Sequence, residues 1–218
     1  MARARVVSVV VALATLGSAM IALPSPARAD DCPDVELVFA RGTGEPPGVG
    51  RVGQALADTL APMLGPRRLS VYPVNYPASI NFLSTGGGAT DAEAHLTTMA
   101  TACPATKFVL GGFSQGAAVM SMLAGVPPLG SKVGNFGSAP PLPPDTADQI
   151  SAVAVFGNPG NRFGTPLSTT GQFAGKAIDL CAPGDPICVV GGRDRSAHNG
   201  YEFPPYVIDA ATFVAAFV

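Results

Sequence analysis

The chain is poor in aromatic residues, histidines and charged residues, on which several classes of protein depend. Its 218 residues include no tryptophan, four tyrosines and two histidines, and only 13% of them are charged. A carbohydrate site usually depends on aromatic platforms, and this composition supplies few of them. The sequence contains neither a run of basic residues nor a C-x-x-C pair. It therefore favours neither a nucleic-acid partner nor a metal site.

What the chain does contain is apolar residues and turn formers. Apolar residues make up 47% of it, and there are 26 glycines and 22 prolines. Disordered chains have far fewer apolar residues, so this composition is typical of a compact domain that is rich in loops.

One long apolar run is present, at the start of the chain. Val6–Leu23 follows a basic segment and precedes Ala27-Arg28-Ala29, which is the pattern of a secretory signal peptide. A membrane anchor is the alternative, but Pro24 and Pro26 directly after the run favour cleavage. We expect cleavage after Ala29, a single domain over residues 30–218, and a secreted or envelope-associated monomer without a membrane span.

Four cysteines agree with export, because an even number in an exported chain indicates disulfides. They are Cys32, Cys103, Cys181 and Cys188. Three pairings are possible, and the spacing favours a short Cys181–Cys188 bridge, which leaves Cys32 with Cys103. A zinc site is the alternative, and a supply of only two histidines disfavours it.

Short apolar segments alternate along the chain with segments of helical periodicity. The predicted strands are Asp34–Ala40, Leu69–Val74, Lys107–Gly111, Ile150–Phe156 and Lys176–Leu180. The predicted helices are Val49–Leu64, Thr90–Ala102 (opened by a capping box of Thr90 and Glu93), Gln115–Leu123 and Val207–Val218. The alternation predicts an α/β fold in which a parallel sheet carries helices on both faces.

Two segments are predicted to be irregular. Asn75–Gly88 is predicted to be a loop. Gly125–Asp148 is rich in proline and too long for an ordinary connection, which indicates either a functional loop or a surface insertion.

A possible nucleophile lies where the third predicted strand meets the third predicted helix. The residues there are Gly112-Phe113-Ser114-Gln115-Gly116, and G-x-S-x-G between a strand and a helix is typical of a nucleophile elbow. Nearby glycines tolerate the sharp turn, and Ser114 Oγ then lies at the helix N-terminus, where the Gln115 N–H can hold an oxyanion. A structural Gly-Ser-Gly turn is the alternative.

A serine nucleophile needs a histidine base and a carboxylate that orients the base. In enzymes with this elbow, the chain order is serine, acid, histidine. Only His198 follows Ser114, in a glycine-rich loop before the last helix. His95 precedes the serine, and we expect it on a helix surface or half-buried.

The acid must then lie between the serine and the histidine. Five aspartates are available there: Asp145, Asp148, Asp179, Asp185 and Asp194. Asp185 lies between Cys181 and Cys188 together with two prolines, a setting that fixes a carboxylate at small entropic cost. A simple turn aspartate is the alternative reading of Gly-Asp-Pro. Asp194 is the second candidate, but we expect it to pair with the arginines on either side of it.

Taken together, four segments resemble the cutinase family of secreted serine esterases, in its bacterial branch. The segments are Phe39-Ala40-Arg41-Gly42-Thr43-Gly44-Glu45, Gly112–Gly116, Cys181–Cys188 around Gly184-Asp185-Pro186, and His198. The resemblance covers essentially all of the chain after residue 29. It implies a three-layer α/β/α sandwich with a five-stranded, mainly parallel sheet. It also implies hydrolysis of short- to medium-chain, cutin- or lipid-like esters through an acyl-enzyme, without a cofactor.

The resemblance also implies roles for individual residues. Ser114 is the expected nucleophile, Asp185 the acid and His198 the base. Thr43 and Gln115 are the expected oxyanion donors through their backbone N–H groups, with the Thr43 hydroxyl as a further candidate. Thr43 stands where fungal members frequently have serine. The disulfides of the family match Cys32–Cys103 and Cys181–Cys188.

An apolar substrate rim is expected from Phe82, Leu83, Tyr201 and Phe203. Acetyl esterase, phospholipase and thioesterase activities remain open, because the same three residues serve all of them. A secreted lipid-binding or host-interaction protein on an inactive scaffold is the rival from another class, and the complete set of three residues disfavours it. Gly125–Asp148 is longer than in the compact fungal members, long enough to shield the site.

Overall fold

The computed structural model of the protein describes Met1, residues 32–130 and residues 137–218. The expected signal peptide and its cleavage point after Ala29 lie outside the described residues, apart from Met1. Residues 131–136 of the proline-rich segment lie outside them as well.

Five strands form one sheet in which every neighbouring pair is parallel. They are β1 (Val35–Ala40), β2 (Leu69–Pro73), β3 (Lys107–Phe113), β4 (Ile150–Phe156) and β5 (Ala177–Leu180). Their order across the sheet is β2-β1-β3-β4-β5. The five predicted strands are thereby confirmed, with small shifts of their ends.

Helices cover both faces of this sheet, which confirms the three-layer sandwich. They are α1 (Gly50–Leu60), α2 (Thr85–Ala102), α3 (Gln115–Leu123), α4 (Pro144–Ala147), α5 (Pro159–Arg162) and α6 (Tyr206–Ala215). A 3-10 turn, Ala61–Leu64, continues α1. In the part of the chain that is described, no helix is both long enough and apolar enough to cross a bilayer.

The alternation of side chains along β1 shows how the core divides. Leu37 and Phe39 pack into a cluster with α1 and α6, whereas Val38 and Ala40 pack into a second cluster with α2 and α3. Every residue of β1 is buried. Five of its six residues are apolar, Glu36 being the exception. A parallel strand covered on both faces favours such a nearly continuous apolar segment, which is why β1 is readable in the sequence.

Helix α2 begins earlier than the sequence predicts, at Thr85 rather than Thr90. Its first turns contain three glycines, which are poor helix formers. Tertiary packing explains two of them. A Cβ on Gly86 would lie 2.7 Å from the Ser138 carbonyl oxygen, and one on Gly88 would be crowded at 3.0 Å by both the Tyr76 ring and a Val119 methyl group. The predicted capping box is wrong, because the Thr90 hydroxyl donates to the carbonyl of Gly86 inside the helix.

The strand order places a crevice at one end of the sheet. The chain runs from β1 outward to β2, then returns to β3 on the other side of β1. Ligand sites of open α/β sheets lie at the carboxyl ends of the strands where the order reverses in this way. Thr43 follows β1 and Ser114 follows β3, so both lie at that point.

Both expected disulfides are present. Cys32–Cys103 joins the segment before β1 to the end of α2, across a sequence separation of 71, and Cys181–Cys188 closes a loop after β5 with a separation of 7. The longer loop loses more freedom in the unfolded chain when it is closed.

We expect the double substitution Cys32→Ala/Cys103→Ala to lower the free energy of unfolding by about 4 kcal/mol, and Cys181→Ala/Cys188→Ala by about 2.5 kcal/mol. Urea unfolding of the two variants and the wild type at neutral pH measures both values. A larger loss from opening the short loop would contradict the chain-entropy explanation, because strain or lost packing would then dominate.

Candidate active site

The turn between β3 and α3 holds Ser114 in a backbone conformation that few non-glycine residues adopt, with φ 55° and ψ −110°. The glycines on either side make the turn possible. A Cβ on Gly112 would lie 2.3 Å from the Gly116 carbonyl oxygen, and one on Gly116 would lie 1.8 Å from the Ala40 carbonyl oxygen. The Ser114 N–H donates to the carbonyl of Phe156 at 2.8 Å, which fastens the turn to β4. The motif is therefore an elbow held by close packing.

The structure brings Ser114, His198 and Asp185 into one hydrogen-bonded chain. His198 Nε2 lies 2.9 Å from Ser114 Oγ, and His198 Nδ1 lies 2.8 Å from Asp185 Oδ2. An ionised carboxylate can only accept a hydrogen bond, so Nδ1 must carry the ring proton, and this arrangement selects the tautomer in which Nε2 has a lone pair. That lone pair faces the serine hydroxyl, as a general base must.

Asp185 is completely buried, and donors surround its carboxylate. Oδ1 accepts from the Ile187 N–H at 2.8 Å, and Oδ2 accepts from Tyr201 Oη–H at 2.6 Å as well as from His198. Burial alone would raise the pKa of Asp185, but the hydrogen bonds from His198, Tyr201 and Ile187 outweigh it and lower the pKa below its ordinary value. The carboxylate therefore stays ionised beside the imidazole.

Tyr201 does not lie on the substrate rim, so that expectation was wrong. Its side chain is fully buried, and its hydroxyl donates to Asp185 while accepting from the Ala182 N–H at 2.8 Å. Burial is the larger cause that raises the pKa of Tyr201, and the hydrogen bond to Asp185 raises it as well. The phenol therefore stays protonated and remains a hydrogen-bond donor to Asp185. Sequence reasoning missed this supporting role because an aromatic residue after a glycine-rich loop suits either position.

The loop after β1 lies against the elbow. Thr43 Oγ1 donates to Gln115 Oε1 at 2.9 Å, and Gln115 Nε2 donates to Thr85 Oγ1 at 2.9 Å. The Thr43 hydroxyl proton is thus already engaged, which leaves the backbone N–H groups of Thr43 and Gln115 as the candidate oxyanion donors. Gln115 is the first residue of α3, and the first amides of a helix have no partner within it.

Two charged residues of the same loop shape it. Arg41 is buried and donates to backbone carbonyls of Glu45 and Tyr76, at 2.9 and 2.6 Å. Glu45 accepts from the Gly42 and Arg51 N–H groups at 2.6 and 3.0 Å, so it joins the loop to the start of α1. The signal in the sequence was an arginine placed directly after a buried strand, where a charge needs buried partners.

The loop that carries His198 is fitted closely to its surroundings. Arg51 Nη1 donates to the Asn199 carbonyl at 2.8 Å and also contacts the Glu202 carboxylate. On the other side lies Gly157, where a Cβ would come 2.8 Å from His198 Cε1. A larger residue at position 157 would clash with the imidazole ring of His198.

A cavity of about 420 Å³ opens beside Ser114. The residues that line it are Thr43, Phe82, Ser114, Gln115, Leu129, Pro159, Arg162, Phe163, Pro186 and Ile187. Among the four expected rim residues, Phe82 is part of this lining. Leu83 and Phe203 are exposed and are not part of it. Leu129 belongs to the proline-rich Gly125–Asp148 segment, so the described part of that segment contributes to the wall.

His95 and Asp194 have hydrogen-bond partners outside the Ser114–His198–Asp185 chain. His95 is half-buried on α2, stacks on Tyr72 and contacts Glu36 Oε2 at 3.0 Å, so it takes no part in the chain of Ser114. Asp194 does not pair with its flanking arginines as expected. Its Oδ1 accepts instead from the N–H groups of Ser196 and Ala197, which places it at the start of the turn that carries His198.

Known proteins resemble this chain over most of its length. The family model described as Cutinase matches residues 31–218. The probable carboxylesterase Culp3 of Mycobacterium tuberculosis is 53% identical over 95% of this chain and 77% of its own. Phospholipase Culp4 of the same organism is 50% identical over 89% of this chain and 83% of its own. The structure of Trichoderma reesei cutinase in complex with a C11Y4 phosphonate inhibitor is 34% identical, with a TM-score of 0.60 over 86% of this chain and 75% of that one.

The family match spans the whole described domain, and it includes the elbow, the disulfide-closed loop and the histidine loop. From the match and from the identity to the curated relatives, we conclude that this chain belongs to the cutinase family.

Proposed function

We propose that the protein is a secreted serine esterase that hydrolyses carboxylic esters through an acyl-enzyme on Ser114. The observation that carries the proposal is the continuous hydrogen-bonded chain from Ser114 through His198 to Asp185, next to a cavity at the carboxyl ends of β1 and β3. The names of its relatives, carboxylesterases and a phospholipase, agree with this reaction class.

The geometry supports a two-step reaction. His198 Nε2 removes the proton of Ser114 Oγ, and the oxygen attacks the ester carbonyl. The imidazolium that forms is stabilised by the ionised Asp185, and it then gives its proton to the leaving alcohol. In the second step the neutral imidazole takes a proton from water, and the hydroxide attacks the acyl carbonyl. The bond to Ser114 Oγ then breaks, the imidazolium returns its proton to that oxygen, and the acid leaves.

The backbone amides of Thr43 and Gln115 would hold the negative oxygen of each tetrahedral intermediate. The hydrogen bond between their side chains keeps the two loops together before substrate binds. Preorganised donors of this kind contribute about 10²–10³-fold each, because they need no reorientation when the charge develops.

The cavity indicates the class of substrate. Its volume lies at the lower end of the range of about 300–1,000 Å³ that small-molecule sites occupy. Phe82, Leu129, Phe163 and Ile187 give it apolar walls that suit an acyl chain of short to medium length. An assay series in which activity peaks on long-chain lipids would contradict this part of the proposal.

Two disulfides agree with a location outside the cytoplasm, where such bonds persist. Together with the signal-peptide pattern at the start of the sequence, they support export of the enzyme. Recovery of the protein from the culture medium or the envelope fraction, shortened by 29 residues, tests this expectation.

The reaction itself is tested with p-nitrophenyl butyrate and a p-nitrophenyl alkylphosphonate. The wild type should hydrolyse the ester, and the phosphonate should abolish activity after modifying one residue per molecule. Peptide mass spectrometry should locate the label on Ser114. Folded, disulfide-intact protein that neither hydrolyses the ester nor reacts with the phosphonate would favour the lipid-binding alternative.

Tyr201→Phe tests whether the buried tyrosine supports the acid. We expect kcat to fall about tenfold with little change in KM, because Asp185 loses a donor that fixes its position. The free energy of unfolding should fall by about 1–3 kcal/mol at pH 7. A carboxyl group whose pKa is lowered on folding adds stability above its ordinary pKa and loses it as pH falls through the folded value. The stability difference between wild type and Tyr201→Phe should therefore shrink as Asp185 becomes protonated.

The matched control for this prediction is Tyr72→Phe, which removes a tyrosine–carboxylate bond to Asp91 of 3.0 Å on the β2 side of the sheet. That variant should keep the wild-type kcat. An equal loss of kcat in both variants, or a Tyr201→Phe stability difference that does not change with pH, would contradict the positioning role.

A further inference from the structure

Arg162 gives the cavity a positive charge in otherwise apolar and neutral surroundings. Of the described residues that line the cavity, it alone is charged. The apolar lining consists of Phe82, Leu129, Pro159, Phe163, Pro186 and Ile187. Ser114 lines the same cavity, so a molecule bound against the serine lies in one compartment with the guanidinium.

The partners of Arg162 leave most of its donors available. Its Nη1 donates to the Pro186 carbonyl at 2.9 Å. Across residues 32–130 and 137–218, no carboxylate lies within 4.0 Å of it. A guanidinium has five N–H donors in a planar fork, and that fork matches the oxygens of a carboxylate or a phosphate.

The backbone that carries Arg162 is rigidly placed. α5 starts directly after β4, and Asn158 at its start is fully buried. Asn158 Oδ1 accepts from the Gly160 N–H at 2.9 Å, and Asn158 Nδ2 donates to Asp179 Oδ1 at 2.8 Å. The start of α5 is thus fixed to the core by the hydrogen bonds of Asn158, and Arg162 is the last residue of the same single helical turn, a placement that suits a residue that recognises a ligand.

We propose that Arg162 is a specificity-determining residue that binds an anionic group on the substrate. The inference rests on the proposed esterase function and adds a substrate class to it: amphiphilic carboxylic esters that also carry a carboxylate or a phosphate. Their acyl part lies against the apolar walls, and their anion binds the guanidinium. A dicarboxylic half-ester carries the anion on the acyl side, and an anionic glycerophospholipid carries it on the alcohol side.

The competing explanation is that Arg162 only fastens α5 to the Cys181–Cys188 loop through the Pro186 carbonyl. In that case its removal would affect stability, and it would affect all esters equally. Selectivity between an anionic and a neutral ester separates the two explanations, because a ratio measured on one preparation does not depend on the fraction of folded enzyme.

The experiment compares two substrate pairs on the same enzyme. The first pair is p-nitrophenyl hexanoate and the p-nitrophenyl half-ester of adipic acid, which differ by a carboxylate on the acyl chain. The second pair is a short-chain diacylglycerol and the phosphatidylglycerol with the same acyl chains, both in neutral detergent micelles. The variants are Arg162→Gln and Arg162→Glu. Arg67→Gln is the matched control, because Arg67 also donates to a backbone carbonyl, that of Leu64, but at the opposite end of the sheet.

We expect the anionic-to-neutral ratio of kcat/KM to fall roughly 5–20-fold in Arg162→Gln for at least one pair, and further in Arg162→Glu. Arg67→Gln should leave the ratio unchanged. Added salt should lower the wild-type ratio towards that of Arg162→Gln, because exposed charges are screened. The pair that responds identifies which side of the ester carries the anion.

Equal ratios in the wild type and both Arg162 variants, for both pairs, would overturn the inference, whether or not their stability falls. Failure of the esterase proposal looks different. In that case wild-type protein would not hydrolyse p-nitrophenyl hexanoate at all, or the hydrolysis would persist in Ser114→Ala.

Discussion

Ser114→Ala should lower kcat for p-nitrophenyl butyrate by about 10⁴–10⁶-fold. The substitution removes the only atom that can form the acyl-enzyme in the proposed reaction, and His198 Nε2 then has no hydroxyl 2.9 Å away to deprotonate. The fold should persist, because the Ser114 N–H bond to Phe156 belongs to the backbone and alanine adopts the same strained conformation at a similar cost. Any remaining rate would come from binding and the oxyanion donors acting on water.

Ser121→Ala is the control for this loss. Ser121 lies on α3 in the same core and is fully buried, and its hydroxyl donates to the Ala117 carbonyl at 3.1 Å within the helix. Its removal should leave kcat unchanged. Circular dichroism should show all three proteins folded. Ester hydrolysis by purified, folded Ser114→Ala at more than a hundredth of the wild-type rate would refute the acyl-enzyme on this residue.

Asp185→Asn should lower kcat by about 10⁴-fold. Both carboxylate oxygens accept hydrogen bonds, Oδ1 from Ile187 and Oδ2 from His198 and Tyr201, so no position suits the new NH₂ group. If the NH₂ group faces His198, it donates to Nδ1 and places the ring proton on Nε2, where it blocks the base. If it faces Ile187, it meets an N–H donor in a buried place, which costs stability.

Asp194→Asn provides the comparison, since Asp194 is the other aspartate close to His198 in sequence. Its carboxylate accepts from Ser196 and Ala197 and has no hydrogen bond to the imidazole. We expect less than a tenfold loss of kcat, from loosening of the turn alone. A larger loss in Asp194→Asn than in Asp185→Asn would reverse the assignment of the acid.

The sequence could predict the residues that meet at the carboxyl edge of the sheet. The central strands β1, β3 and β4 are evident because the sheet buries nearly all of their residues. Ser114 is the serine of the G-x-S-x-G elbow, and His198 is the one histidine that follows it in the chain. Asp185 followed from the disulfide-closed loop around it. These inferences depend on local composition and on order along the chain, which the sequence displays directly.

The errors concern residues whose role depends on a distant partner. The predicted start of α2 is wrong because Gly86 and Gly88 are explained by residues distant in the sequence: Ser138 approaches Gly86, and Tyr76 and Val119 approach Gly88. Tyr201 was assigned to the rim although its hydroxyl holds Asp185, 16 residues away in sequence. Arg162 was overlooked for the same reason, because a surface arginine becomes part of a cavity only once Phe163, Ile187 and Ser114 are placed around it.

The glycines of the elbow have a consequence for evolution. Gly112 and Gly116 are required by contacts with backbone atoms of Gly116 and Ala40, and neither contact involves the reacting atoms. A lineage that abandoned ester hydrolysis would keep both glycines for as long as it kept the fold, whereas His198 would be free to drift. In a distant descendant of this protein, inheritance of the imidazole would therefore be the informative mark of retained activity, and the G-x-S-x-G pattern would record ancestry.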